Sequence, residues 1–505
     1  MIKLLYNADA LLIGAVSLPF LAAALILVLR SIPRSQEIVI LASSCALLPI
    51  LCRLYALCAN YQGNVALHYV VTSSLNLVLR PEALGMVFAL MVALLWLAAN
   101  VYTISYMNKT DIQNRGCHPS FYACFSASIG CTLCVAFSGN IATLFIAYEL
   151  LTVCTYPLII HGLSERSVTG GRFYLKTLLC SSMLFLLPAV IMICGLNEAA
   201  GSFSTKSFIS ETHATFIPIL LILLCYGVAK AAIVPAHVWL PRAMVAPTPV
   251  SALLHAVAVV KSGVFTIVKI TVYALGVRGM GEHYATMGEF HHNILMYLSA
   301  VTVIAGSAMA MRQNNLKGLL AYSTVSQLSY VTLAVSMYTD GAIRAAILHM
   351  VCHAFAKITL FFAVGAVYAS TGKTTVEEIG GIGRTMPVTA TAFCIGALAM
   401  IGVPPAATFW SKFSVLSEAT GSGHFVVVLV VVASTLLNTL YFAPIIYGIF
   451  FTKPEAQSAG SEASLPMLIA MTATSACTVA LFIQPDIVFK VLDHMKFVAM
   501  LPTTE

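Results

Sequence analysis

The chain has 505 residues, of which 60% are hydrophobic and 9% are charged, and its formal net charge at pH 7 is +7. Soluble domains carry about 25% charged residues, so this composition excludes a soluble globular enzyme. The basic residues are spread along the chain and do not form stripes interleaved with aromatic residues, which gives no support to nucleic-acid binding.

Fourteen apolar segments, each long enough to cross a bilayer or divided by proline, follow one another along the chain. They predict transmembrane helices at 11–29, 37–58, 83–106, 118–138, 140–160, 172–195, 214–245, 248–274, 292–311, 317–337, 342–369, 388–420, 424–451 and 464–484. The first is interpreted as a retained helix, because it lacks a small-residue cleavage site and further helices follow. The predicted fold is an all-α polytopic membrane protein, with 1–505 as a single membrane domain.

Residues 59–82, between the second and third helices, alternate enough to predict a short β-hairpin. Lys and Arg accumulate in the odd-numbered loops, among them Arg34, Lys109, Arg312 and Lys373, and are rarer in the even-numbered ones. The positive-inside rule therefore predicts cytoplasmic odd loops and both termini on the external face.

The seventh and twelfth segments are too long for one span and contain proline near the middle, at Pro235 and at Pro404–Pro405. Proline removes a helical hydrogen bond, so each segment is predicted to be a broken helix. Freed backbone groups are tolerated within a bilayer only where protein or a hydrated cavity satisfies them. The breaks therefore indicate a transport pathway.

A faint internal repeat accompanies the breaks. The Ala-Tyr pair at 147–148 recurs at 321–322, 174 residues later, and the proline of the first break recurs at the second, 170 residues later. These offsets predict one five-helix unit used twice, as helices four to eight (118–274) and nine to thirteen (292–451). Because five is odd, the two copies would run in opposite directions, as in ion-coupled transport folds.

Ionisable residues inside the apolar segments include Glu149, Lys230, Lys261 and Lys412. A charge at the centre of a transmembrane helix costs at least about 2.5–3.5 kcal/mol, so each needs an explanation. Snorkelling to the interface is the structural alternative, but about ten apolar neighbours on either side place these residues deeper than snorkelling reaches. A functional role is the preferred interpretation.

His349, His353 and Lys357 stand at i, i+4 and i+8, so they share one helix face. A single membrane histidine is more often a hydrogen-bonded core residue, whereas three ionisable groups in one stripe favour proton relay. The HxxxH pair could bind zinc, yet no third ligand or general-base carboxylate accompanies it, so no metal is expected.

Proton transfer is the chemistry that this set supports. A buried lysine and a carboxylate whose separation changes form a gate, because each changes the proton affinity of the other, and Glu149 and Lys230 are the predicted partners. Walker, GxGxxG, Ser-His-Asp and haem motifs are absent from the sequence, so no cofactor and no active site of the chain's own are expected. The 14 cysteines lie mostly in apolar segments and are interpreted as small core residues.

The segments PAHVWLPRAMVAPTPVSALLHAVAVVKSGVF, LKGLLAYSTVSQLSYV, HMVCHAFAKITLFFAVGA and GVPPAATFWSKF resemble the antiporter-like family over about 80–480. Its members are the L, M and N type proton-pumping membrane subunits of complex I, their counterparts in membrane-bound hydrogenases, and components of the multisubunit Mrp-type cation/proton antiporters. The resemblance implies fourteen helices, two inverted five-helix repeats and external termini.

The resemblance also implies roles for individual residues. Glu149 and Lys230 look like the family's glutamate–lysine pair, Lys261 like the central lysine of the eighth helix, and Lys412 like the exit residue. The remaining members of the implied proton pathway are His255, Lys317, His349, His353 and Lys357.

Three hypotheses stay open. Trp410 beside Lys412, and the chain length, look more like the D-type component of an Mrp-type antiporter, which would exchange protons for sodium or another monovalent cation. The alternative is a proton-pumping subunit of an NADH–quinone oxidoreductase or a membrane-bound hydrogenase, and the third hypothesis is a scaffold that has lost conduction. Either transport hypothesis implies partner membrane subunits and a bacterial inner membrane.

Overall fold

The computed structural model describes residues 8–32, 34–60, 65–72, 75–111, 118–196, 203, 216–277, 280–281, 293–453, 461–495 and 497. Nearly all of this part of the chain is helical, which confirms the predicted all-α, multi-pass membrane fold. The helices are α1 (Ala8–Val28), α2 (Ser35–Asn60), α3 (Ala83–Thr110), α4 (His118–Ala136), α5 (Ile141–Ile159), α6 (Glu165–Ser181), α7 (Leu187–Leu196), α8 (Ile217–Gly227), α9 (Trp239–Arg242), α10 (Thr248–Ala252), α11 (Val259–Ile270), α12 (Ile294–Met311), α13 (Leu316–Val335), α14 (Asp340–Thr371), α15 (Pro387–Ile401), α16 (Thr408–Gly421), α17 (Phe425–Phe451), α18 (Leu465–Ile483) and α19 (Asp486–His494).

Eleven described helices are long and apolar enough to cross a membrane, or twelve if Glu377–Arg384 and Pro387–Ile401, which are bent by 117°, form one span. The predicted segments 214–245 and 388–420 fall short because their breaks divide them into shorter helices. The tenth segment, α13, falls short because serine, threonine and glutamine side chains occupy its middle, between 323 and 332. The number fourteen therefore stays a prediction.

The predicted hairpin is confirmed. Strands β1 (Leu67–Thr72) and β2 (Leu75–Leu79) pair antiparallel, with Leu67 opposite Leu79. An isolated bridge from Leu79 to Ser138 attaches the hairpin to the connection between α4 and α5.

The interior of the protein is formed by two stretches of helix. π-Helical turns join α10 to α11 and extend α11 to Leu275. The most apolar parts of Thr248–Leu275 and of Asp340–Thr371 are wholly buried inside the protein. In Phe425–Phe451, by contrast, only 33% of the most apolar part is buried. The buried stretches are the two that carry Lys261 and the histidine stripe, so these groups face protein on every side.

Both predicted breaks are present. In the first, α8 ends at Gly227, and 3₁₀ turns at Ala229–Ala231 and Ala236–Val238 flank Pro235 before α9 begins. In the second, α15 ends at Ile401 and α16 begins at Thr408, so that Pro404 and Pro405 lie in the connection.

Candidate functional site

Seven of the nine predicted pathway residues are buried, whereas Glu149 and Lys317 are half-buried. Six have no exposed surface and Lys412 is 5% exposed; the six are Lys230, His255, Lys261, His349, His353 and Lys357. Burial of this many ionisable side chains is costly unless hydrogen bonds compensate for lost hydration. Their partners therefore show what each group does.

Lys230 lies inside the first break and contacts α5. Its ammonium lies 3.4 Å from the centre of the Tyr148 ring and donates to the Tyr148 carbonyl, while its backbone N–H donates to the Tyr148 hydroxyl at 3.1 Å. The neighbouring Glu149 forms no ion pair within 4.0 Å in the described part of the chain, although its buried carboxylate interacts electrostatically with Lys230 and lies near the Ser182 hydroxyl. The predicted gate residues are thus adjacent, and in this conformation they are not paired.

Other contacts satisfy the backbone that the first break frees. The Trp239 indole donates to the Ala229 carbonyl at 2.9 Å, and the Val234 N–H donates to the Thr302 hydroxyl at 3.1 Å. These protein groups replace the helical hydrogen bonds, as buried backbone requires. The break is therefore a fixed element of the fold.

Gly263 joins the first break to the centre of the protein. A Cβ at this position would overlap the backbone of Lys230 and Ala231, so only glycine permits α11 to pack so closely there. Lys261 lies on the same helix, two residues before this contact. The close approach sets the spacing between the lysine of the break and the central lysine.

Lys261 bonds directly to the histidine stripe. Its Nζ lies 2.7 Å from His353 Nδ1 and donates to the Met350 carbonyl at 2.9 Å. Both partners are on α14, so this lysine links the two most deeply buried stretches of helix. A histidine nitrogen can accept a proton, which a carbonyl in this role does not.

The stripe continues from His353 toward the second break. The rings of His353 and His349 are stacked, with centroids 6.2 Å apart, and His349 also stacks on Tyr330 at 5.3 Å. His349 Nδ1 lies 2.9 Å from the Ser411 hydroxyl of α16. The predicted i, i+4 pair therefore connects α11 to α16.

Lys412, next to Ser411 in the chain, closes the second break. Its Nζ donates to the carbonyls of Met400 and Ile401 at 2.8 and 2.9 Å, and it lies 5.0 Å from the centre of the Tyr330 ring. The last carbonyls of a helix lack intrahelical donors, so this cation satisfies the end of α15 and complements its dipole. Gly402, with φ +89°, permits the turn, and a Cβ there would lie 2.6 Å from Lys412 Cδ.

Three of the predicted residues lie to the side of this line. Lys357 donates to the Ser323 hydroxyl at 3.0 Å and to the Leu320 carbonyl at 3.3 Å, so it faces α13. Among the described residues no hydrogen-bond partner contacts either ring nitrogen of His255. Lys317 donates to the Ala246 carbonyl at 2.6 Å and lines a cleft of about 550 Å³ at the ends of α3 and α14.

Sequence reasoning missed an ion pair. Lys269 Nζ lies 3.2 Å from Glu82 Oε2, with side-chain exposures of 0% and 10%, and also donates to the Ala136 carbonyl at 3.0 Å. Lys269 stands eight residues after Lys261, the same spacing that marked the histidine stripe, so the signal was present in the sequence.

Comparison with known families matches residues 138–438 to the model described as "NADH:quinone oxidoreductase/Mrp antiporter, TM". The chain is 31% identical over 405 residues to the A/B component of a probable K(+)/H(+) antiporter of Rhizobium meliloti, covering 77% of this chain and 38% of that protein. It is also 30% identical over 483 residues to the A component of the Na(+)/H(+) antiporter of Alkalihalophilus pseudofirmus, covering 87% of this chain and 57% of that protein.

A further relative is the chloroplastic NAD(P)H-quinone oxidoreductase subunit 5 of Lemna minor, 29% identical over 352 residues and covering 67% of this chain and 45% of that protein. The chain thus spans about half the length of the curated relatives it matches.

Two solved structures share the fold. A chain of the membrane-bound sulfane sulfur reductase, an archaeal respiratory membrane complex, superposes with a TM-score of 0.84 at 20% identity, covering 97% of this chain and 98% of that one. A chain of the Mrp complex from Dietzia sp. DQ12-45-1b superposes with a TM-score of 0.82 at 18% identity, covering 98% of each.

Proposed function

The chain belongs to the NADH:quinone oxidoreductase/Mrp antiporter family of membrane proteins, and we propose that it is a proton-translocating subunit of an Mrp-type monovalent cation/proton antiporter complex. The family resemblance predicted from the motifs is confirmed by the match over 138–438. Other membrane subunits are the proposed partners, since relatives of both kinds are named as subunits. The proposed location is the bacterial inner membrane, with both termini external.

The contact that carries this proposal joins Lys261 to His353. At 2.7 Å, the lysine nitrogen and the histidine Nδ1 are within direct proton-transfer distance, and both groups are wholly buried. Histidine accepts and releases protons near neutral pH, so the pair can pass a proton from α11 to α14. A scaffold that had lost conduction would gain nothing from the cost of burying both groups.

The proposed route extends from this pair in both directions. On one side, the close approach at Gly263 brings the backbone of Lys230 against α11. On the other side, His349 leads through Ser411 to Lys412. In the proposed route a proton enters past Lys230 at the first break, crosses at the Lys261–His353 pair and leaves past Lys412 at the second break.

A respiratory role is the second candidate function. One relative is named as a subunit of an NAD(P)H-quinone oxidoreductase and one structural neighbour belongs to a respiratory membrane complex. Redox energy would then drive proton movement along the same buried residues. Trp410 and Lys412 favour the D type among antiporter components, whereas the antiporter relatives described above carry the designations A and A/B, so the D assignment stays a prediction.

The proposal is tested in everted membrane vesicles that carry the native complex, with a pH-sensitive dye and a Lys261→Ala variant. We expect proton movement to be abolished, because the variant removes the donor to His353, while Lys490→Ala, an exposed lysine on α19, transports normally. Normal transport by a correctly inserted Lys261→Ala variant would show that protons take another path.

The driving force separates the two candidate functions in the same vesicles. A dye response to added sodium or potassium without NADH supports the antiporter. A gradient that only NADH builds, and that quinone-site inhibitors abolish, assigns the chain to a respiratory complex.

A further inference from the structure

We propose that Asp111, His118 and His161 form a binding site for a divalent transition metal of the zinc class. Asp111 follows the last residue of α3, His118 begins α4, and His161 lies just after the end of α5. The three side chains thus come from the ends of three helices on one side of the protein. This site is independent of the proposed transport route, and it was not expected from the sequence, which predicted no metal.

The donor atoms are already close to the spacing that zinc requires. His118 Nε2 lies 3.3 Å and His161 Nε2 lies 2.7 Å from Asp111 Oδ2, and all three donor atoms lie within 4.8 Å of one another. Bonds of about 2.0–2.1 Å in a tetrahedron place two ligand atoms about 3.3 Å apart. Small side-chain rotations would therefore be enough for the three donor atoms to coordinate one ion.

An unsatisfied atom points into the same space. His118 is 3% exposed and its Nε2 has no hydrogen-bond partner in the described part of the chain, although the Asp111 carboxylate lies beside it. A buried polar atom without a partner costs about 1–3 kcal/mol. A metal ion at this point would take up the free nitrogen and stabilise the closed arrangement.

Aromatic neighbours fix the two imidazole rings. Phe121 packs against His161 with ring centroids 4.9 Å apart, and Tyr122 meets the His118 ring edge-on at 6.3 Å. Rings held in this way lose less freedom on binding an ion, which is the role of the shell around a metal site.

The site borders the cleft of about 550 Å³ described above, because Asp111 is also part of its wall. This cleft gives an ion access and leaves room for a water as the fourth ligand. Arg166, Lys317 and Lys373 line the same cleft, so its field does not attract cations. Affinity must therefore come from direct coordination, which favours Zn²⁺ and Co²⁺ over Mg²⁺ and Ca²⁺.

The test measures metal bound to the full chain, purified from membranes in detergent and without a histidine tag. Co²⁺ is the probe, because its visible absorption reports tetrahedral nitrogen and oxygen ligation, and equilibrium dialysis with Zn²⁺ gives the stoichiometry. We expect one ion per chain, bound at micromolar or lower concentration, and no comparable binding of Mg²⁺. His118→Ala and Asp111→Asn should each lose this ion, whereas His68→Ala, an exposed histidine of β1, should retain it.

Thermal unfolding gives a second readout, since an ion that binds only the folded state raises stability by mass action. Zn²⁺ should raise the unfolding temperature of the wild-type chain and of His68→Ala, and should leave that of His118→Ala unchanged. Equal zinc binding by wild type and His118→Ala, or an absence of stoichiometric binding to the folded wild-type chain, would overturn the proposal and leave a histidine–carboxylate charge cluster. Neither result depends on whether the chain moves protons.

Discussion

Replacing Lys269 by methionine is expected to destabilise the protein by about 3–5 kcal/mol, because it leaves the Glu82 carboxylate buried without its cation. Methionine keeps most of the volume of the lysine side chain, so the loss reports the charge and not a cavity. The structure gives the size of the effect. Lys269 Nζ and Glu82 Oε2 are 3.2 Å apart, and at an effective dielectric constant of 20 their attraction is about 5 kcal/mol.

Two further features shift this magnitude in opposite directions. The variant also loses the hydrogen bond from Lys269 to the Ala136 carbonyl, which a charged donor strengthens to about 1.5–3 kcal/mol. Arg80 also interacts electrostatically with Glu82 and partly replaces the lost cation. We therefore expect the net cost to lie near the lower end, at about 3 kcal/mol.

The assay is an SDS titration of the detergent-solubilised chain, followed by far-ultraviolet circular dichroism. The control is Asp493→Asn, which removes a partly exposed ion pair to Arg344 of similar length, 2.9 Å, and should cost about 0–1 kcal/mol. Changing Lys269 to methionine and Glu82 to leucine together should recover most of the loss, since an apolar pair is often as stable as a buried ion pair. A cost for the Lys269 variant no larger than that of the control would refute this reasoning.

Two smaller changes test the second break. Gly402→Ala should lower stability more than Gly372→Ala in the same titration. Both glycines have positive φ, but only at Gly402 would a Cβ also overlap a neighbouring lysine, Lys412. Equal losses of stability would mean that this lysine is free to move aside. Ser411→Ala should slow proton movement in vesicles several-fold by removing the hydroxyl bonded to His349. Ser414→Ala, one turn further along α16, should transport normally, because the Ser414 hydroxyl donates to the Trp410 carbonyl of its own helix. Equal rates for the two variants would remove the Ser411 hydroxyl from the route.

Periodicity predicted the local part of the site. The i, i+4, i+8 spacing of the stripe placed His349 and His353 on one face of α14, and proline placed both breaks. The same spacing did not show which neighbour each group meets. Lys357 faces α13, away from the bond that joins His353 to Lys261. The period of a helix determines on which face a side chain lies, whereas the residues that it contacts depend on how neighbouring helices pack.

The cluster of Asp111, His118 and His161 could not be predicted from spacing. Its members lie at three helix ends and meet only because α3, α4 and α5 end at the same level. The repeat also remains a prediction. The offset of 174 residues pairs Tyr148 with position 322, yet the tyrosine beside the lysine of the second break is Tyr330. Matching short patterns in apolar sequence therefore does not establish which side chains are equivalent.

The buried lysines differ in which groups accept their hydrogen bonds. This difference decides whether a lysine can pass its proton to the group it already contacts. Lys230 donates to the main-chain carbonyl of Tyr148 on α5, and Lys412 donates to main-chain carbonyls at the end of α15, so neither can hand over a proton until its ammonium turns away. Lys261 and Lys269 donate to a histidine and to a glutamate, which can receive the proton without such a movement. Transfer at the centre thus needs only a change of protonation, whereas transfer at either break needs the side chain to move. If protons take the proposed route, movement of the Lys230 and Lys412 side chains at the breaks would control their flow, and the Lys261–His353 pair would pass them on between the two breaks.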